Sequence, residues 1–221
     1  MPKTRGVILD LDGTLIDSND AHARAWLEAM SEAQFDPPFA KVRRLIGMGG
    51  EFLLPAALGI AADSDIGRRI SGRRQEIFRQ DYLPQLKPFP KVRELLEKMQ
   101  QVGQLVVASA SQREELEQML ELAGIADLLQ ETTSASEVDD PKPEPDVVLA
   151  ALDKMALGPE QVLLLGDTPY DIEAAGKVGV KVVAMECGGW SAAELAGAMA
   201  VYRDPADLLA RFELSPFAMY G

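Results

Sequence analysis

Four short apolar runs, at 6–10, 104–109, 162–166 and 181–185, recur along the chain between stretches with helical spacing. They are continuous rather than alternating: Val7-Ile8-Leu9, Leu105-Val106-Val107-Ala108, Val162-Leu163-Leu164-Leu165 and Val182-Val183-Ala184-Met185. A strand that is apolar on both sides must be covered on both sides, which is the habit of parallel sheets packed between helices. Helical patterns at 91–103, 113–123, 145–155 and 171–178 supply that cover, with Gly103, Gly124 and Gly179 where helix C-caps belong. The alternation predicts an α/β fold: a doubly wound, mostly parallel, Rossmann-like sheet with right-handed crossovers.

The stretch 17–87 breaks this rhythm. It offers no strand and reads as helices at 21–33, 51–58 and 65–81, the first preceded by the capping candidates Ser18, Asn19 and Asp20. Arginines 68, 69, 73, 74 and 79 along the third helix read as a solvated face. Pro84, Pro88 and Pro90 mark the return to the sheet. The expected organisation is therefore a core of 1–16 and 88–221 with an all-helical cap domain of 17–87 inserted after the first strand. Such an insert stands above the carboxyl ends of the strands, where open α/β sheets bind ligands. Residues 192–212 read as further core and 215–221 as a tail.

Composition narrows the partners. A net charge of −13 opposes binding to nucleic acid or to an anionic membrane, both of which need basic surface. No apolar run approaches the roughly 20 residues that span a bilayer, and Met1-Pro2-Lys3-Thr4-Arg5 leads into the first strand without an apolar signal segment. The single cysteine, Cys187, fits a reducing, cytoplasmic setting and reads as a small apolar residue at a strand end. Both a monomer and a homodimer are compatible with the sequence.

The first apolar run ends in Asp10-Leu11-Asp12-Gly13-Thr14. Two carboxylates converging where a buried strand leaves the sheet are costly unless something positive joins them. A divalent cation and a reacting phosphate would be such partners. Three further elements follow in order: Ser109 after the second run, Lys142 within Pro141-Lys142-Pro143-Glu144-Pro145-Asp146, and Gly166-Asp167-Thr168-Pro169-Tyr170-Asp171 after the next.

This ordered set resembles the haloacid dehalogenase superfamily, in its phosphatase branch with a helical cap after the first strand. The resemblance implies that Asp10 is the nucleophile, forming an aspartyl-phosphate, already ionised at neutral pH and needing no base. Asp12 would be the general acid and base, with a raised affinity for its proton. Asp12 also separates phosphatases from dehalogenases, which have no alkoxide to protonate. Mg²⁺ would be held by Asp10, the main-chain carbonyl of Asp12, Asp167 and Asp171, although Asp171 also reads as a helix N-cap. Ser109 and the amide of Ala110 would bind phosphate, with Ser111 as a competing candidate or an N-cap. Lys142 would offset the charge of Asp10 and the phosphoryl group, against the plainer reading of a solvated loop lysine. Gly13 would let backbone amides approach the phosphate, and Thr14 would either add a hydroxyl nearby or stabilise the turn.

Within the insert, His22 and Gly47 are candidate contacts to substrate, against a structural histidine and a glycine-rich turn beside two solvated arginines, Arg43 and Arg44. Trp26 reads as cap core. The expected substrate is a small phosphorylated metabolite, a sugar phosphate or a phosphoglycolate-like compound. A β-phosphoglucomutase-like phosphosugar mutase is the alternative. Such mutases carry a lysine just before the cap glycine and an arginine three residues after it, where this chain has Ile46 and Gly50. A non-catalytic phosphometabolite-binding protein is the third reading, opposed by the intact acids.

Overall fold

The computed structural model describes residues 3–134, 137 and 142–219. Met1, Pro2, Pro141 of the lysine motif, and Tyr220 and Gly221 of the predicted tail lie outside the described residues. Six strands form one sheet: β1 Gly6–Leu9, β2 Gln104–Ala108, β3 Glu131–Thr133, β4 Val162–Gly166, β5 Lys181–Met185 and β6 Ala200–Tyr202. Their order is β3-β2-β1-β4-β5-β6 and every pairing is parallel. Val7 of β1 lies opposite Leu105 of β2 on one side and Leu163 of β4 on the other. The doubly wound expectation holds.

Alternate residues divide the core as the pleat requires. Val7, Leu9, Leu105, Val107, Leu163 and Leu165 join one apolar cluster. Ile8, Val106 and Leu164 join another on the opposite face. Helices α5 Val92–Met99, α6 Arg113–Ala123 and α9 Pro205–Ala210 contribute to the first cluster; α7 Asp146–Met155 and α8 Pro169–Val178 contribute to the second. The two strands absent from the sequence reading, β3 and β6, lie at the sheet's two edges. Each is three residues long, too short and too partly exposed to carry a continuous apolar run.

Between β1 and α5 lie α1 Asn19–Glu32, α2 Phe39–Leu45, α3 Gly50–Leu58 and α4 Asp65–Ile77, the last running into a π-helical turn at Phe78–Tyr82. The sequence reading missed α2, whose N-cap is a proline, Pro38, rather than a polar capping residue. The two segments joining this insert to the sheet run side by side. The Asp17 amide donates to the Lys87 carbonyl (3.1 Å) and the Phe89 amide to the Leu15 carbonyl (3.0 Å). Ile16 bridges Pro88 in antiparallel fashion.

Several local expectations are corrected. Gly124 and Gly179 do close α6 and α8 with left-handed backbone, but Gly103 lies beyond α5, whose C-cap is Gln100. Its reason is space: a Cβ there would stand 2.0 Å from the Arg5 carbonyl oxygen. Ser18 occupies the N-cap of α1 but makes no side-chain cap. Arg74 is not part of a solvated face, its side chain being only 12% exposed. Arg43 is not solvated either, its side chain being 18% exposed, whereas Arg44 stays exposed as expected. Arg43 donates to the Gly188 carbonyl (2.5 Å), and Arg44 stacks on Trp190 (4.1 Å) while pairing with Glu194.

Because the neighbour of Gly103 is backbone, which cannot swing aside, Gly103→Ala should destabilise the fold by about 1–3 kcal/mol. Urea unfolding checks this, and an unchanged midpoint would contradict the packing account.

Candidate active site

The order of strands reverses around β1 and β4, and the four motifs meet at the carboxyl ends there. Asp10 follows β1 and Asp167 follows β4, both buried. Asp171, at the third position of α8, accepts from the Thr168 amide (3.0 Å) and hydroxyl (2.7 Å) through Oδ2. The N-cap of α8 is Thr168 rather than Asp171, which completes a capping box from inside the first turn while its other oxygen faces the site. Asp10, Asp167 and Asp171 each offer a carboxylate oxygen, all within 4.8 Å of one another.

Lys142 is inserted among them, 1% exposed. Its Nζ donates to Asp10 Oδ1 (2.5 Å) and to the Ala108 carbonyl (3.1 Å), and pairs with Asp171 Oδ1 at 2.7 Å. The solvated-loop reading of Lys142 is thereby excluded. Thr14, fully buried, holds its hydroxyl 3.1 Å from Asp10 Oδ2 and 3.0 Å from Asp167 Oδ1. One hydroxyl proton can serve only one of those acceptors at a time.

Three buried carboxylates against one ammonium leave the cluster short of positive charge. Burial, reinforced by Asp171 and Asp12 and opposed by Lys142, pushes Asp10 up to about 7. Burial, with Asp10 and Asp171, likewise raises Asp167 well above the carboxylate range. The expectation of an Asp10 freely ionised at neutral pH is corrected to this extent: without a cation it holds a proton near neutrality. Burial alone would lower Lys142, but Asp10 and Asp171 hold it above the usual lysine value. An all-oxygen donor set with an excess of buried negative charge fits a hard divalent cation.

Asp12 lies apart, with four donors. Ser18 Oγ (2.5 Å) and His22 Nε2 (2.7 Å) reach Oδ1; Ser111 Oγ (2.9 Å) and, at a long 3.4 Å, Ser109 Oγ reach Oδ2. Arg74 approaches His22 Nδ1 at 2.5 Å, and a guanidinium only donates, so Nδ1 accepts and Nε2 carries the proton given to Asp12. Burial would raise Asp12, but the hydrogen bonds from His22, Ser18 and Ser111 hold it below the usual range. The expected raised proton affinity of Asp12 is thus reversed in this arrangement.

The other candidates fall as follows. Ser109 is fully buried and accepts from the Ser111 amide (3.0 Å), while Ala110 and Ser111 line the cleft. Ser111 is not an N-cap; Gln112 takes that position in α6. Gly13 has φ +80°, and a Cβ there would lie 2.0 Å from Asn19 Nδ2 and 2.4 Å from Asp167 Oδ2. It is thus glycine because Asn19 and Asp167 close over it. Gly47, with φ +104°, lines the cleft against Thr168, and Trp26 also lines it while packing inside the insert. Cys187 sits in a turn after β5, its thiol directed at the Gly13 carbonyl (3.3 Å).

Sequence reading missed Asn19, which donates to Asp167 Oδ2 (3.0 Å) and the Gly188 carbonyl (3.2 Å), and it missed the pair of Arg74 with Glu115. Signals for both were present. Three polar residues stood before one helix needing one cap. Glu115 lies on the buried stripe of α6 with Leu116, Met119 and Leu120.

The charge imbalance carries a thermal prediction. An unfolded aspartate loses its proton near ~4, whereas native Asp10 keeps its own up to about 7. Between those values the native state binds more protons, so stability falls as pH rises. With chelator present, Tm should decrease from about pH 5 to about pH 8, and a divalent cation should raise Tm more at the upper end. Asp167→Asn should raise the chelated protein's Tm and remove most of the cation response. A chelated Tm that climbs over this window contradicts the account.

The profile of haloacid dehalogenase-like hydrolases matches residues 7–185. A phosphoglycolate phosphatase of Rhodospirillum rubrum is 31% identical over 219 residues, covering 94% of this chain and 90% of its own. An N-acetylmuramic acid 6-phosphate phosphatase of Pseudomonas aeruginosa is 28% identical, covering 84% and 83%. The crystal structure of a hydrolase from Pseudomonas syringae superposes with a TM-score of 0.88 at 28% identity, covering 96% of this chain and 99% of that one. Motif order, sheet topology and these similarities agree: the chain belongs to the haloacid dehalogenase-like hydrolase family and stands with its phosphatases.

Proposed function

We propose that the chain is a Mg²⁺-dependent phosphatase of small phosphomonoesters that works through an aspartyl-phosphate on Asp10. The observation that carries this reading is the position of Asp10. It lines the cleft at the end of β1, its other neighbours being Lys142 and two further buried acids. Asp10 attacks phosphorus and the bond to the leaving oxygen breaks, with Asp12 giving that oxygen a proton. Water then attacks the same phosphorus, Asp10 departs, and Asp12 takes the water's proton. Mg²⁺ held by Asp10, Asp167, Asp171 and the Asp12 carbonyl would stabilise negative charge on the transferring group. Lys142 adds fixed positive charge beside Asp10. Ser109, the Ala110 amide and Gly13 are proposed to cradle the phosphate.

Asp12 needs its proton for the first step, so Ser18 and His22 must release Oδ1. Both lie at the start of the insert, and a hinge of 17–87 on its paired linkers would separate them from Asp12. His22 and Gly47 then face the leaving group. The two curated relatives named above are phosphatases of phosphoglycolate and of N-acetylmuramic acid 6-phosphate, both small phosphate esters, in keeping with a cleft of this kind. For the mutase alternative, Ile46 and Gly50 provide no cations for a second phosphate. We place the protein in the cytoplasm on the strength of its single cysteine; no helix among the described residues is long and apolar enough to cross a membrane.

With Mg²⁺ and p-nitrophenyl phosphate, Asp10→Asn should lower turnover by roughly four orders of magnitude or more. Rapid acid quench with a labelled ester should trap label on the parent protein and none on Asp10→Asn. Undiminished turnover in the variant overturns Asp10 as nucleophile.

A further inference from the structure

The leaving-group side of the cleft is formed by the insert and by the turn after β2. Trp26, Ile46 and Met48 give it apolar wall, and Ser71, Gln75 and Gln112 give it neutral hydrogen-bonding groups. Among the described residues lining it, Arg74 is the one cation, and its charge is already committed. Nη1 lies 3.0 Å from both carboxylate oxygens of Glu115, a side chain only 1% exposed, and Nη2 donates to His22. The guanidinium is further held over the rings of Phe78 (5.0 Å) and Trp26 (5.6 Å). Glu115 belongs to α6 in the core and Arg74 to α4 in the insert, so the neutralised pair also spans the two. The first turn of α3, which reaches the cleft through Gly50, carries Glu51 rather than a cation.

A substrate anion beyond the transferring phosphate would therefore be desolvated without a free positive partner. That is costly for a carboxylate or a second phosphate and much less so for hydroxyls, which Ser71 and Gln75 can bond. We propose that Glu115, by taking up the charge of Arg74, makes this cleft selective for phosphomonoesters of uncharged, hydroxylated alcohols, the sugar-phosphate class. Substrates with an anionic leaving group, the ester phosphoglycolate and the anhydride pyrophosphate, are disfavoured. The inference rests on the phosphatase reading and chooses among the substrates that reading allows.

The test compares kcat/KM of the full chain with Mg²⁺ on fructose 1-phosphate and glucose 6-phosphate against 2-phosphoglycolate and pyrophosphate. At least one sugar ester should exceed both anionic compounds by about tenfold or more. Glu115→Gln, which frees Arg74, should shift the ratio toward 2-phosphoglycolate by a similar factor. Should that variant fail to fold, Gln75→Lys adds an uncompensated cation to the same wall and should shift the ratio the same way. If p-nitrophenyl phosphate is hydrolysed but neither sugar ester outpaces 2-phosphoglycolate and pyrophosphate, the charge argument is overturned while the phosphatase reading stands. A folded variant with an unshifted ratio also overturns it. Failure to hydrolyse any of the five compounds overturns the phosphatase reading itself.

Discussion

The ammonium of Lys142 lies between the carboxylates of Asp10 and Asp171, sealed from solvent, and the arrangement of the site follows from that contact. Its three protons are all engaged, the third by the Ala108 carbonyl at the end of β2. Lys142 thus ties the loop before α7 to the ends of β1 and β2 and to the first turn of α8. Burial, with the repulsion of neighbouring carboxylates that one ammonium cannot neutralise, raises the proton affinities of Asp10 and Asp167. The same excess of buried negative charge would suit a hard divalent cation.

The helical insert is part of this chemistry as well as a cover for it. Ser18, Asn19 and His22, all near the start of α1, reach down to Asp12 and Asp167. Arg74 continues the contact from α4 through His22 to Glu115 in the core. Aromatic packing fixes the chain of contacts: His22 stacks on Phe78 at 4.0 Å between ring centres. The state of Asp12 is consequently set by side chains outside the sheet.

Much of this was legible in the sequence, for physical reasons that also mark where legibility ends. β1, β2, β4 and β5 are interior strands, and burial on both faces writes a continuous apolar run; edge strands β3 and β6 write none. Asp10, Asp167 and Lys142 could be read because each follows a strand or stands in an ordered motif. The sign of the shift at Asp12 was misjudged because its donors come from positions 18, 22 and 111, and no local pattern announces such convergence. Arg74 was misread for a related reason. Its neighbours Arg68 and Arg73 are indeed exposed, and only the partner Glu115, 41 residues on, tells them apart.

The antiparallel contact of Ile16 with Pro88, flanked by the bonds of Asp17 with Lys87 and of Phe89 with Leu15, bears on how this architecture varies. Two crossings laced edge to edge join the insert to the core along one seam. They also bring the ends of the insert together, so the core meets whatever lies between as a single closed loop. Its length and composition can then change without disturbing strand order, while the acids at the strand ends stay where they are.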